Sequence, residues 1–434
     1  MTRDVGDHKM RYCIEQRRSA VRHMRSALGL MTVITLAGGC DQLIDVEAPS
    51  RVLADNLFVP ANAQLLVNSV GTELSCALAH SIVSGGLIGS ELLNATTLVV
   101  YAQVDRRNLS QLSEANRGTC DSEIAIYLPL AVTRWLADQT LTHLEQWTDA
   151  EVANRSLLVA TTATYAAYSY TLIGELMCSA AFDLGPEQTP AQVFQLAEDR
   201  FTRAIAAAQA ANNAAALNLA RVGRARTRLR RGNVTAAADD AKVVPNGFVQ
   251  TFPYSSVTAR RQNIVWARNV QTLRFTVDPS YRGLTYQGVA DPRVGVVNAG
   301  RVGSDGVTPM WNPTKYGVVD SPIPLAKWAE AQLIVAEAEL SAGNLPAAVA
   351  IINTLHTRAG LPAFNSNVAA DVRAQLLYER KAELFLESHH LGDLRQYNLP
   401  LSPAAGTPFP GGGSYLNERC VPLPETERSN NPNL

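Results

Sequence analysis

Residues 222–244 read VGRARTRLRRGNVTAAADDAKVV, and residues 333–355 read LIVAEAELSAGNLPAAVAIINTL. With Gly232-Asn233 set on Gly343-Asn344, the two stretches share one pattern. Val222 falls on Leu333, Ala225 on Ala336 and Leu229 on Leu340; beyond the turn, Ala236-Ala237 falls on Ala347-Ala348 and Val244 on Leu355. Apolar residues spaced by three and four define one face of a helix. A glycine after the last helical turn supplies the left-handed backbone of a C-cap, which other residues resist. Each stretch therefore reads as helix, Gly-Asn turn, second helix, with alanines at the contact that let the two helices approach closely. Two copies are too few for a solenoid and would buttress a larger helical body.

The rest of the chain extends this mostly α reading. Most of Ala61 to Val244 has helical texture, with the apolar positions of Thr161 to Met177 recurring at three and four. Thr189-Pro190 has the form of an N-cap followed by Pro at the first helical position. Helices resume at Leu325 to Ala342, Leu345 to Ala359 and Ala369 to Ser388, and Pro400 to Gly413 reads as loop. Between Pro245 and Pro324, Gly, Pro, Asn and Asp become frequent, and short runs such as Leu273 to Val277 suit strands. That segment holds nine aromatics of a chain with 10 Phe, 13 Tyr and 5 Trp. The chain thus divides into a leader (1–39), a helical part (40–244), an irregular aromatic-rich part (245–324) and C-terminal helices with a tail (325–434).

The leader carries Arg17, Arg18, Arg22 and Arg25, then an apolar run from Ala27 to Ala37, then Gly38-Gly39-Cys40. A basic region, a short apolar core and small residues before a cysteine form an export signal of the lipoprotein type, with Cys40 lipidated. Four further cysteines, Cys76, Cys120, Cys178 and Cys420, are an even set in an oxidising compartment and allow two disulfides in three connectivities. The short first loop favours Cys76–Cys120 with Cys178–Cys420. Apolar residues at 47% and charged residues at 18% allow a large core, and a net charge of -1 gives no electrostatic ground for nucleic acid. The basic run Arg221 to Arg231 is read as a solvated helix face.

Several motifs in the C-terminal third resemble the SusD/RagB family. Lys327 to Glu339 (KWAEAQLIVAEAE) is similar to the family's R-Y-A-E-v-x-L-x-x-A-E-A helix. Ile352-Asn353 followed by Thr357 to Pro362 resembles its i-N-x-v-R-x-R-a-G-l-p turn, and Tyr378 to Glu387 its E-R-R-x-E-L-a-F-E helix. Ser388 to Arg395 lies near G-h-R-w-x-D-L-R, with Ser388 where Gly is usual, His390 where Arg is usual and Leu391 where an aromatic is usual. Val421 to Leu434 resembles the P-I-P-x-x-E-x-x-x-N-P-x-l ending. Asp291-Pro292-Arg293 and Cys40 to Val46 also fit. The resemblance implies a SusD-like helical fold with tetratricopeptide-like pairs. It implies a lipid-anchored protein of the outer membrane, facing the cell surface, that captures an oligosaccharide, or a peptide, for a SusC-like TonB-dependent transporter.

Other chemistry was weighed against this. Glu379, Glu383 and Glu387 lie four apart, as paired carboxylates of a glycosidase could, yet ion pairing on a structural helix is the simpler reading. His389-His390 with Asp393 could hold a metal, but histidines at a helix C-terminus interacting with its dipole explain them better. Phosphate-binding glycine loops and a Gly-x-Ser-x-Gly elbow do not occur. The expectation is a binding protein without catalysis, cofactor or metal. The rivals are a tetratricopeptide scaffold for protein partners and a helical glycan-degrading enzyme. The irregular segment is the expected ligand site, through Trp266, Tyr281, Tyr286, Trp311 and Tyr316 as stacking rings and Asp291, Arg293 and Asn312 as polar contacts.

Overall fold

A computed structural model describes residues 54–434. The chain divides into a unit of Met1–Leu57, of which only the short helix Ala54–Leu57 is described, and a unit of Phe58–Leu434. The leader and Cys40 lie outside the described residues.

The second unit is built on a ladder of antiparallel helices. α1 (Ala63–Ile88) packs against α2 (Tyr127–Gln146) and α3 (Arg155–Leu176). There follow α4 (Pro190–Ala210), α5 (Ala214–Arg230), α6 (Val234–Ala241), α7 (Trp328–Ser341), α8 (Leu345–Ala359) and α9 (Ala369–Glu383). From α2 to α8 each helix packs on the next, and α9 lies on α7 and α8. The expected N-cap is present: Thr189 and Gln192 form a reciprocal capping box ahead of Pro190.

The repeat is real at the level of hydrogen bonds. Gly232 (φ +80°) donates to Leu229 O and Asn233 to Arg228 O; Gly343 (φ +77°) donates to Leu340 O and Asn344 to Glu339 O, all at 2.8–3.1 Å. A third copy escaped the sequence reading. Between α4 and α5, Asn212 (φ +49°) donates to Gln209 O and Asn213 to Ala208 O. Asparagine enters the left-handed region more readily than other side chains, so it substitutes for the glycine. The aligned positions Val222, Ala225, Leu229, Ala237, Leu333, Ala336, Ala348 and Leu355 are all buried.

Three helix boundaries differ from expectation. The stretch Ala61 to Val244 is broken at 89–126, which holds β1 (Leu92–Asn94) and short helices at Val99–Asp105 and Ser113–Arg117. The helix expected from Leu325 starts only at Trp328, because Ile323–Lys327 pairs as a strand. The helix expected to reach Ser388 stops at Glu383; Leu386 and Ser388 take positive φ and turn the chain into α10 (His390–Gln396).

The irregular segment contributes β2 (Val249–Phe252), β3 (Phe275–Val277), β4 (Thr285–Tyr286), β5 (Val289–Ala290), β6 (Val296–Val302), β7 (Pro309–Pro313) and β8 (Ile323–Lys327). They form two-stranded antiparallel pairs: β1 with β3, β2 with β8, β4 with β5, β6 with β7. The tail ends in α11 (Glu425–Asn430). Disulfides join Cys76 to Cys120 and Cys178 to Cys420, with Cα atoms 5.9 and 5.0 Å apart. No helix among the described residues is long and apolar enough to cross a membrane.

Candidate functional site

The basic run on α5 is no solvated face. Arg226 and Arg230 are buried and both reach Glu175 on α3, at 2.5 and 2.7 Å; Arg230 also donates to Asp393 on α10 at 2.8 Å. Arg224 and Arg228 pair with Asp240, and Arg228 and Arg231 with Glu198. Packing places acidic partners from four other helices over an arginine row that the local sequence presents as merely basic. Burial alone pushes the Glu175 carboxyl up, but Arg226 and Arg230 more than offset this and hold it below the usual glutamate range.

The carboxylates of the C-terminal motif are also paired. Glu379 accepts from Arg293 at 2.5 Å and from His356 Nε2 at 2.7 Å; Glu387 accepts from Lys315 and Lys327 at 2.5 and 2.7 Å; Glu383 lies 3.3 Å from Arg293. The ion-pair reading therefore holds, with partners drawn from the irregular segment, β8 and α8 rather than from the neighbouring Arg380 and Lys381. The histidine pair sits at the start of α10 and not at a helix C-terminus. Burial pushes His390 down to about 4, and burial together with Arg226 and Arg230 holds His389 well below its ordinary range. His389 Nε2 lies 3.2 Å from the Arg226 guanidinium, where a metal cation would be repelled.

The candidate ligand residues separate into two groups. Tyr281 is buried, stacked on Phe385 with ring centroids 4.8 Å apart. Tyr316 is buried and donates to Leu386 O at 2.9 Å. Asp291 is buried, accepting from Arg293 at 2.6 Å and from the Tyr378 hydroxyl at 2.9 Å, and Arg293 is spent on Asp291 and Glu379. These four secure the irregular segment to α9 and to the turn that follows it; Tyr281, Tyr316 and Asp291 are buried, and Arg293 is engaged by carboxylates on both sides. Trp266, Tyr286, Trp311 and Asn312 remain half-buried. Arg282 covers one Trp311 face, 5.1 Å from the ring centroid, and Tyr286 packs edge-on against His356 at 4.5 Å. The structure does not gather the eight into one site.

A cleft of about 670 Å³ lies elsewhere. One wall is the end of β1 and the stretch after it, including Asn94, Thr96, Gln103, Asp105 and Arg106. The second is the β6–β7 turn with Asp305, Val307 and Thr308, and the third is the tail from Phe409 to Tyr415. β1 pairs with β3, Asp305 N donates to Ala95 O and Ser304 N to Leu273 O, so the first two walls are joined by backbone hydrogen bonds. The tail is tied to the first wall by Arg106 and by the fully buried Arg107, which donates to Leu416 O and Pro403 O and lies over the Tyr415 ring. Asp305 accepts from Val307 N, Thr308 N and the Thr308 hydroxyl; burial pushes its carboxyl up, but these bonds prevail and lower it. Burial raises Asp105 to about 7, opposed by the Asn94 amide and Arg107. The cleft rim exposes Val99 and Val307. Sequence reasoning passed over these residues because they come from three remote loops. The only local signals were the polar run Asn94 to Thr97, the pair Arg106-Arg107 and the glycines 411–413.

Residues 304–415, which supply two of the three walls, match the model of the SusD family. Over these residues the chain is similar to that family. No curated protein sequence matches it. Among solved structures, a SusD-like carbohydrate binding protein from Bacteroides vulgatus ATCC 8482 is similar over 87% of this chain and 97% of its own, at 14% identity and a TM-score of 0.67. A surface glycan-binding protein A from Bacteroides uniformis is similar over 86% and 98%, at 15% identity and a TM-score of 0.66. At such identities the likeness shows the fold.

Proposed function

We propose that this protein binds a nutrient, an oligosaccharide, in the cleft between the β1 loop, the β6–β7 turn and the tail. It performs no catalysis and passes the ligand to a SusC-like TonB-dependent transporter, itself held at the outer membrane, facing the cell surface, by a lipid on Cys40. The cleft carries this reading: hydroxyl and amide groups from Asn94, Thr96, Gln103 and Thr308 stand beside apolar Val99 and Val307. That mixture suits a sugar, which offers hydroxyls at its edge and C–H groups on its faces. The fold neighbours described as carbohydrate- and glycan-binding point the same way. Against hydrolysis, a glycosidase needs two free carboxyl groups facing one cleft; here Asp305 accepts three hydrogen bonds in its own turn, and Asp105 is buried and accepts from the Asn94 amide. Trp266, Tyr286, Trp311 and Asn312 keep accessible surface outside the cleft lining and could extend the contact for a longer chain.

The test is calorimetric titration of an oligosaccharide panel and a peptide panel against the wild type and Thr308→Trp, which puts a large ring into the cleft, with a reducing-end assay alongside. The expected result is saccharide binding that Thr308→Trp abolishes, with no new reducing ends. Binding confined to peptides, binding indifferent to Thr308→Trp, or turnover of the saccharide overturns the proposal.

A further inference from the structure

Three charged side chains line the cleft, and Arg106 is the one cation among them. Asp305 accepts three hydrogen bonds within its turn and, like Asp105, is an acceptor only. Asp105 is buried and takes the Asn94 amide. Arg106 is half-buried, and its Nε donates to Ser414 O at 2.9 Å while its own carbonyl accepts from Leu416 N at 2.9 Å. Its two terminal nitrogens, Nη1 and Nη2, make no hydrogen bond or ion pair among the described residues.

The guanidinium is also held in place. A Cβ added at Gly413 would meet Arg106 Nη2 at 2.7 Å and Cζ at 2.8 Å, and Gly413 has φ +77°. The tail backbone therefore packs closely against the guanidinium, at a left-handed position that favours glycine. Anchored at Nε and backed by Gly413, Arg106 offers a fixed pair of N–H donors with little rotamer entropy left to lose. Two parallel donors of this spacing match a carboxylate, which accepts both in a fork. A neutral sugar hydroxyl uses one of them and leaves the other short of a partner.

We infer that the oligosaccharide this cleft selects carries a carboxylate, as a uronic acid does, and that Arg106 is the residue that selects it. The inference rests on the cleft reading above and adds the ligand class. Arg106 here determines specificity by direct contact, while Ser414 and Gly413 set its position.

The experiment titrates acidic tetrasaccharides (oligogalacturonate, oligomannuronate and hyaluronan), each beside its methyl ester, and a sulfated chondroitin tetrasaccharide. The proteins are the wild type, Arg106→Gln, Arg106→Lys and Thr308→Trp. The wild type should bind at least one acid roughly tenfold or more tightly than its ester, as a charge-assisted hydrogen-bond pair implies. Arg106→Gln should weaken the acid roughly tenfold more than it weakens the ester, so that the two bind alike. Arg106→Lys, which keeps the charge and loses the fork, should fall between. If Arg106→Gln weakens acid and ester equally, Arg106 only holds the tail and the inference is overturned. If acid and ester bind the wild type alike, yet Thr308→Trp abolishes both, the inference falls and the cleft reading stands. A preference for the sulfated sugar alone overturns the carboxylate assignment. Absence of any saccharide binding sensitive to Thr308→Trp overturns both readings together.

Discussion

Replacing Asp393 by Asn removes one negative charge from a buried ionic centre while keeping the side chain's shape. Asp393 accepts from Arg380 Nε and Nη2 at 2.8 and 2.7 Å and from Arg230 Nη1 at 2.8 Å, and all three side chains are buried. Burial pushes its carboxyl up, but Arg380 and Arg230 overcome this and hold it at about 2. Against an ordinary aspartate near 3.8, linkage gives about 2–3 kcal/mol of stability at neutral pH. The loss on substitution is larger, because Arg380 has no other carboxylate partner among the described residues while Arg230 keeps Glu175. Stranding one buried charge costs about 3–5 kcal/mol. For a chain of this size that lowers the melting temperature by roughly 4–6 °C. The sign with pH follows from the depressed folded value. The carboxylate's contribution is complete above the ordinary aspartate pKa and is lost as pH falls towards 2, so the gap between Asp393→Asn and the wild type narrows in acid. Urea unfolding followed by circular dichroism at pH 7 and pH 3 reads both effects. An unchanged midpoint at pH 7, or a gap just as wide at pH 3, refutes the assignment of stability to this centre.

Phe385→Ala should cost about 3–5 kcal/mol, because the ring is fully buried against Tyr281; an unaltered denaturation midpoint refutes that placement. Alkylation of the denatured, unreduced protein should label none of Cys76, Cys120, Cys178 and Cys420, and mass mapping of a labelled peptide at any of them contradicts the pairing. Reduction should remove about 2–4 kcal/mol for each bridge, visible as a lower melting temperature in reductant; an unchanged one counts against any stabilising role.

Much of the scaffold was legible in the sequence because it rests on local rules. The Gly-Asn turns at 232 and 343, the capping box at Thr189 and the exit of α8 at Ala359 depend on residues within five positions of one another. Helix period and backbone φ are properties of such short stretches. Even here the third turn, at Asn212-Asn213, was missed, because asparagine does the work of glycine without its signature. The helix endings at Trp328 and Glu383 were misplaced because strand pairing with β2 and the packing of Leu384 to Ser388 override local propensity.

The destination of charged and aromatic side chains was decided by tertiary structure alone. Arg226 meets His389 across 163 positions of sequence, and Arg293 meets Glu379 across 86. Nothing in either neighbourhood distinguishes a solvated arginine from a buried one, since burial depends on which distant carboxylate packing delivers. For the same reason Tyr281 and Tyr316 looked like free rings in an irregular segment and proved to be core. The cleft is the extreme case. Its walls come from residues 93–108, 305–308 and 409–415, and a cavity is a relation between surfaces, which no single stretch of sequence contains.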